Sequence, residues 1–406
     1  MAIDQAPPVL LSGYPAIFRD YVVKNTAHIL ARVQQAGPIL ASAEREQALH
    51  TLSFALNLVE AWPAARELLL TMAPKMEQAG FRDEWMPYLE QGIAQSRTLA
   101  DLEAEAELHF QLGRLYRLRG KFAPARTEFE AGMAGFAHLK LPRSQARAMN
   151  RLAQVARRQR QFTEAVRLAE TALSLLGEQE TERAYSYLVL GTVAIDKRDW
   201  PQAVEFFQRS FALWERENDQ RMMGRSLMSL GSAWRPMKKY QEAIDVYRQA
   251  IVLFKTILDP IYQAIVQMNL GNVYYYNDQP EEALHLHLQA ERIFRRVQDL
   301  FYLGLVNHNI GMAYRKMEQW HSAEEAYLLS IEQRKNIGNV AGLLNSMDGL
   351  GLVYLGQGQP SKAMSVFETA LDRLTGIKGE PGYDRLVEMI TSHLQEASEK
   401  IALQWT

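Results

Sequence analysis

Lys140, Arg143, Arg147, Arg151, Arg157, Arg158, Arg160 and Arg167 crowd one stretch of the chain, opposed there only by Glu164 and Glu170. Arginine offers a planar fork of donors that matches a carboxylate or a phosphate, so the chemistry would be anion capture. A solvated helix face would use the same residues. Further on stand Asn269, Asn272, Asn309 and Asn345, with His308 and Arg315. An amide donates and accepts at once, so such residues could clamp an extended peptide backbone. Between and among the two groups lie Tyr185, Leu188, Ile195, Met228, Met268, Tyr275 and Met312. Exposed, they would form an adaptable apolar contact surface; packed between helices, they would be core.

Catalytic chemistry finds no comparable set. His285 and His287 are two residues apart and would point to different faces of a helix, and His308 has no further ligand at helical spacing. Glu281-Glu282 and Glu324-Glu325 would open helices, where negative charge suits the dipole. No serine stands in a nucleophile elbow, no phosphate-cradling G-x-x-x-x-G-K-[ST] occurs, and there is no cysteine. The reading is a non-enzyme with no metal and no cofactor. Its net charge of −2 gives no global case for nucleic acid, which is left only the local basic sector. No apolar run reaches membrane-spanning length and the first residues lack a signal-peptide pattern, so a cytoplasmic protein is expected. The missing cysteines fit a reducing compartment.

These residues are positioned by a repeat. A small residue recurs at Ala73, Gly113, Ala153, Gly191, Gly231, Gly271, Gly311 and Gly351, at steps of 40 with a single step of 38. Twelve places later come Trp85, Ala125, Ala165, Ala203, Ala243, Ala283, Ala323 and Ala363. Three places after the small residue, most units carry a large side chain, among them Tyr116, Trp234, Tyr274, Tyr314 and Tyr354. Each unit reads as a helical hairpin. The small residue lets the second helix approach, and the alanine meets it there. Glycine and proline punctuate the turn, as at Gly356 to Pro360. Asp219, Asp259, Asp299 and Asn339, again forty apart, would cap the first helix of the next unit. The first unit is degenerate, with Pro74 inside its first helix and Trp85 in place of alanine.

The spacing predicts an all-α chain: a flexible tail over 1–13, an N-terminal helical cap over 14–61, a repeat array over 62–375 and a C-terminal capping helix over 376–406. The Leu-Gly-x-x-Tyr run with later alanines, as in Leu270, Gly271, Tyr274, Ala283 and Ala290, resembles the tetratricopeptide repeat (TPR). The forty-residue form is similar to the arrays of kinesin light chain and Pins/LGN adaptors. It is equally similar to the sensor arrays of bacterial signal-transduction ATPases. The resemblance implies an α-solenoid, a right-handed superhelix of about eight TPR-like hairpins, whose first helices line a concave groove for peptides, protein helices or small effectors.

Counted from the small residue, offsets −6, −3, +1 and +4 share one stripe of the first helix. In the family's geometry that stripe faces the groove. It assigns partner contact to Arg114, Arg117, Arg147, Asn150 and Arg157 in a basic sector, and to Tyr185, Leu188, Met228, Arg235, Met268, Tyr275 and Met312 further on. Asn269, Asn272, His308, Asn309, Arg315 and Asn345 complete the set. The expected partner is a protein or peptide with acidic and apolar residues. The alternatives are a regulatory subunit controlling a separate ATPase or effector enzyme, gated by a small ligand or not, and, less favoured, nucleic acid on the basic sector. The sequence specifies no oligomeric state.

Overall fold

The computed structural model describes residues 15–37, 40–79, 81–379 and 382–403, and every regular element among them is helical. The tail expected over 1–13 lies outside the described residues. The chain divides into two compact units, up to Lys197 and from Arg198. In the first unit α1 (Ala16–Gln35) and α2 (Ser42–Ala55) precede the hairpins α3–α4 (Trp62–Ala79, Arg82–Thr98), α5–α6 (Leu102–Leu118, Phe122–His138) and α7–α8 (Pro142–Arg158, Phe162–Leu175), and α9 (Arg183–Asp196) follows. The second unit opens with α10 (Trp200–Arg216). It continues with α11–α12 (Gln220–Trp234, Tyr240–Thr256), α13–α14 (Pro260–Tyr276, Pro280–Arg296), α15–α16 (Leu300–Lys316, Trp320–Asn336) and α17–α18 (Val340–Gly356, Pro360–Leu374), and ends with α19 (Tyr383–Leu403).

Helices of 17 residues separated by three-residue turns fill the forty-residue period, as α13 and α14 illustrate. The turns are alike. A residue with positive φ follows most of the repeat helices at about twenty-residue intervals, including Gly120, Lys140, Arg160, Lys238, Leu258, Asp278, Gly338 and Gly358. The next amide then reaches back to close the helix end, as Asp259 N does to Phe254 O at 2.9 Å. Asp219, Asp259, Asp299 and Asn339 each accept from the amide three residues on, at 3.0–3.1 Å. Asp101 and Asp199 do the same. So most turns stop one helix and start another within three residues, the seven-residue link from α8 to α9 being longer.

Leu258 holds its left-handed conformation (φ 55) while 85% exposed, so its side chain adds strain without packing. Leu258→Gly is expected to raise stability by about 0.5–1 kcal/mol, read as a higher urea midpoint.

The core explains the repeat's small residue. Sixteen places after it, on the second helix, stands a ring packed against its bare backbone. A Cβ at Gly113 would stand 2.8 Å from Phe129 Cδ1, and one at Gly311 would stand 2.9 Å from the Tyr327 ring. Tyr247 and Phe367 lie against Gly231 and Gly351 in the same way. Where the small residue is Ala153, the facing position is Ala169, and both are fully buried. A ring is thus accommodated only opposite a bare backbone, and where the ring is absent a Cβ is tolerated. His287 holds the ring's place against Gly271 and is 1% exposed. It is a core histidine, while His285, two places away on another face of the helix, is exposed.

Candidate ligand-binding site

In the first unit the basic sector is spent on the chain's own carboxylates. Arg114 pairs with Glu77 at 2.7 Å, and Arg147 pairs with Glu107 and lies over the Phe110 ring. Arg157 grips both oxygens of Asp196, at 2.6 and 3.3 Å. Each pair joins the first helices of neighbouring repeats. Arg117 is half-buried on the same helix as Arg114. Arg151 lies over the half-buried Tyr185 ring at 4.4 Å. Asn150 is fully buried; its amide donates to the Glu182 carboxylate at 2.8 Å and accepts from Ser186 Oγ at 2.8 Å. Leu188 is half-buried. The open positive wall expected here is therefore largely neutralised. Asn150 belongs to an internal polar cluster, because its offset faces the neighbouring helix.

The second unit differs. Six of the expected contact residues converge on one pocket of about 250 Å³: Arg235, Asn272, His308, Asn309, Met312 and Asn345. They arrive from the first-helix segments of four successive hairpins. Arg235 follows directly on α11, Asn272 stands on α13, the next three stand on α15, and Asn345 stands on α17. The stripe of offsets three and four apart brings five of them together, and Asn309 stands one place beside it. The remaining lining is Tyr276, Leu305 and Arg334. Leu305 stands in the same stripe, Tyr276 one place beside it, and Arg334 on the second helix α16, where the stripe reading did not look.

Other expected contacts lie apart from the pocket lining. Met268 is 3% exposed and packs in the core around Phe294 and Ile310. Met228, Asn269, Tyr275 and Arg315 are half-buried. Tyr275 lends its carbonyl oxygen to Lys316 Nζ at 2.9 Å, and Arg315 hydrogen-bonds Tyr327.

The pocket's electrostatics are one-sided. Its lining has two arginines and no carboxylate. Burial, with Arg334 and Arg315 adding positive potential, pushes the His308 imidazole down to about 3, so it is neutral at ordinary pH. Its Nδ1 is 3.2 Å from Ser346 Oγ, and its ring meets Tyr327 edge-on at 5.4 Å. The Asn309 Nδ2 is buried without a partner, and Asn345 donates to Ala341 O at 2.9 Å. Arg235 lies over the exposed Tyr276 ring at 5.4 Å and walls the opening. The arrangement offers cations and amide donors beside the apolar Leu305 and Met312. It suits an anionic or amide-bearing ligand with an apolar part.

Among the described residues no group of histidine, aspartate and glutamate is arranged to hold a metal ion. No helix of the described residues is long and apolar enough to cross a membrane.

The profile of the tetratricopeptide repeat matches residues 144–216, 180–256, 222–296 and 302–375, together more than half of the chain. No curated protein matches by sequence. Several solved structures share the fold at 12% identity. The signal transduction ATPase with numerous domains and a tetratricopeptide repeat sensor from Pyrococcus horikoshii aligns over 95% of this chain and 63% of its own, with a TM-score of 0.59. Aspartyl phosphate phosphatase F from Bacillus subtilis aligns over 92% and 96%, with a TM-score of 0.55. A Rap protein solved in complex with Competence and Sporulation Factor aligns over 82% and 99%, with a TM-score of 0.54. The forty-residue register, its paired helices and the profile matches agree: this chain belongs to the tetratricopeptide repeat family.

Proposed function

We propose that the chain is a non-catalytic interaction scaffold that binds a peptide or protein segment along the first helices of its second unit, with the pocket at Asn272 and His308 as the anchoring point. The observation that supports this reading most is the convergence of five stripe residues, with Asn309 beside them, from four successive hairpins on one concave, carboxylate-free site. Asn272 and Asn309 would serve the ligand's backbone and Met312 its apolar side chain. In this reading residues 14–61 and 376–406 cover the ends of an array over 62–375, as stacked repeats require. The absence of cysteine fits a cytoplasmic setting.

A regulatory role is the second reading. It draws on the fold shared with the Rap protein solved with Competence and Sporulation Factor and with the sensor-bearing ATPase. A ligand held here would then control a partner carried on another chain. In either reading the same contacts are tested. Peptides selected from a displayed random library against the immobilised chain should bind Asn272→Ala and Met312→Ala variants about tenfold to a hundredfold more weakly, measured by fluorescence polarisation. Peptides that bind both variants as tightly as the unaltered chain would place the contact elsewhere.

A further inference from the structure

One core position of the repeat carries a charge in a single unit, and in the degenerate first unit it holds the buried Ser96. Twenty-three places after the small residue stand Phe136, Leu176, Trp214, Phe254, Phe294 and Leu374, all buried and apolar. The residue at this place in the sixth of these units is Arg334, itself only 6% exposed. A buried arginine in a core slot is costly unless a carboxylate compensates it. Among the described residues none stands within ion-pair distance of Arg334. Its one recorded hydrogen bond is from Nε to Gly304 O at 3.1 Å, and that carbonyl already accepts from Ser330 Oγ at 2.6 Å.

The fold makes room for this side chain. A Cβ at Gly304 would stand 2.8 Å from Arg334 Cγ, and one at Gly342 would overlap Arg334 Nη1. The two glycines flank the arginine from the first helices α15 and α17, so a side chain rooted on the second helix passes between them and lines the pocket. The same lining holds Asn309, whose Nδ2 is unpartnered, and Arg235. A cation placed in a core position, given space by two glycines and left without an internal counter-ion, has its counter-ion to gain from outside.

We propose that Arg334 anchors an oxyanion subsite: its guanidinium, with the Asn309 amide and Arg235, holds a carboxylate or phosphate group of the ligand. The subsite rests on the preceding reading only for what carries the anion. The test therefore uses small anions alone and does not depend on finding a peptide.

Thermal unfolding of the full chain is followed in acetate, succinate or inorganic phosphate against sodium chloride of equal ionic strength. At saturating concentration at least one of them should raise the melting temperature by about 3 °C over chloride. Carboxylates acting alone identify a carboxylate ligand, and phosphate acting alone a phosphorylated one. Arg334→Leu, which restores the residue found at Leu176 and Leu374, should melt no lower than the unaltered chain in chloride and lose the anion shift. Asn309→Ala should fold and show a reduced shift. The proposal fails if no anion raises the melting temperature beyond chloride. It fails equally if Arg334→Leu keeps the shift, or melts several degrees lower and so reveals a structural strut.

Discussion

Replacing His287 by phenylalanine is expected to stabilise the second unit and remove much of its sensitivity to acid. His287 fills the slot that Phe129 and Phe367 fill elsewhere, against the bare backbone of Gly271. Burial pushes its imidazole down to about 3, and its Nδ1 has no hydrogen-bond partner. An unfolded chain binds the same proton near the ordinary histidine value, about 6.5. Below that pH the unfolded state holds more protons than the folded one. The stabilising effect of the neutral ring is therefore complete above about 6.5 and is lost progressively as pH falls through about 3. Over that window the loss is on the order of 5 kcal/mol. Phenylalanine cannot titrate, and it also removes the orphaned nitrogen, worth about 1–2 kcal/mol at neutral pH. Urea unfolding at pH 7.5 and at pH 4.5 separates the two effects. The gain over the unaltered chain should be clearly larger at the lower pH, and an equal gain at both would mean that His287 is protonated in the fold. His308, whose imidazole is also held down to about 3, should leave a residual acid limb in the variant.

The parts of the molecule legible in the sequence are those set by contacts within one repeat. Asp219, Asp259, Asp299 and Asn339 act on amides three residues away, and the helix ends follow from turns of fixed length. The pocket was half legible. Asn272, His308, Met312 and Asn345 lie on one stripe because helical periodicity puts them there. What the stripe could not tell is which of its members a neighbouring helix would cover. Asn150 and Met268 share one offset, and both are buried between first helices. The arginine pairs needed a second step. Glu107 and Arg147 occupy the same offset in adjacent units, so their pairing is apparent once those helices are set side by side. Arg334 is not legible from the stripe because it is rooted on a second helix. The core position it occupies is uncharged in every other unit, apolar in all but the degenerate first with its Ser96, and the charge there is the available signal. His287 departs from the aromatic slot in the same way. In a repeat, function shows where one unit breaks a rule that the other units keep.

The rule itself can be tested by breaking it deliberately and then mending it. Gly113→Ala should destabilise the first unit by about 1–3 kcal/mol, because the new Cβ would stand 2.8 Å from Phe129 Cδ1 in a core with no slack. Alanine is the better helix former by about 1 kcal/mol, so a loss despite that gain isolates the steric term. Phe129→Ala alone should cost about 3–5 kcal/mol, since Phe129 is fully buried and its ring leaves a cavity against a bare backbone. In the Phe129→Ala background the clash has no second partner, and Gly113→Ala should then cost nothing or return a fraction of a kcal/mol. The double variant reproduces the Ala153 and Ala169 pairing that the next hairpin already uses, where both residues are fully buried. Urea midpoints of the four proteins give the coupling directly. If Gly113→Ala costs as much without the ring as with it, the penalty belongs to the helix backbone. The small residue of the repeat would then need another explanation than the ring sixteen places on.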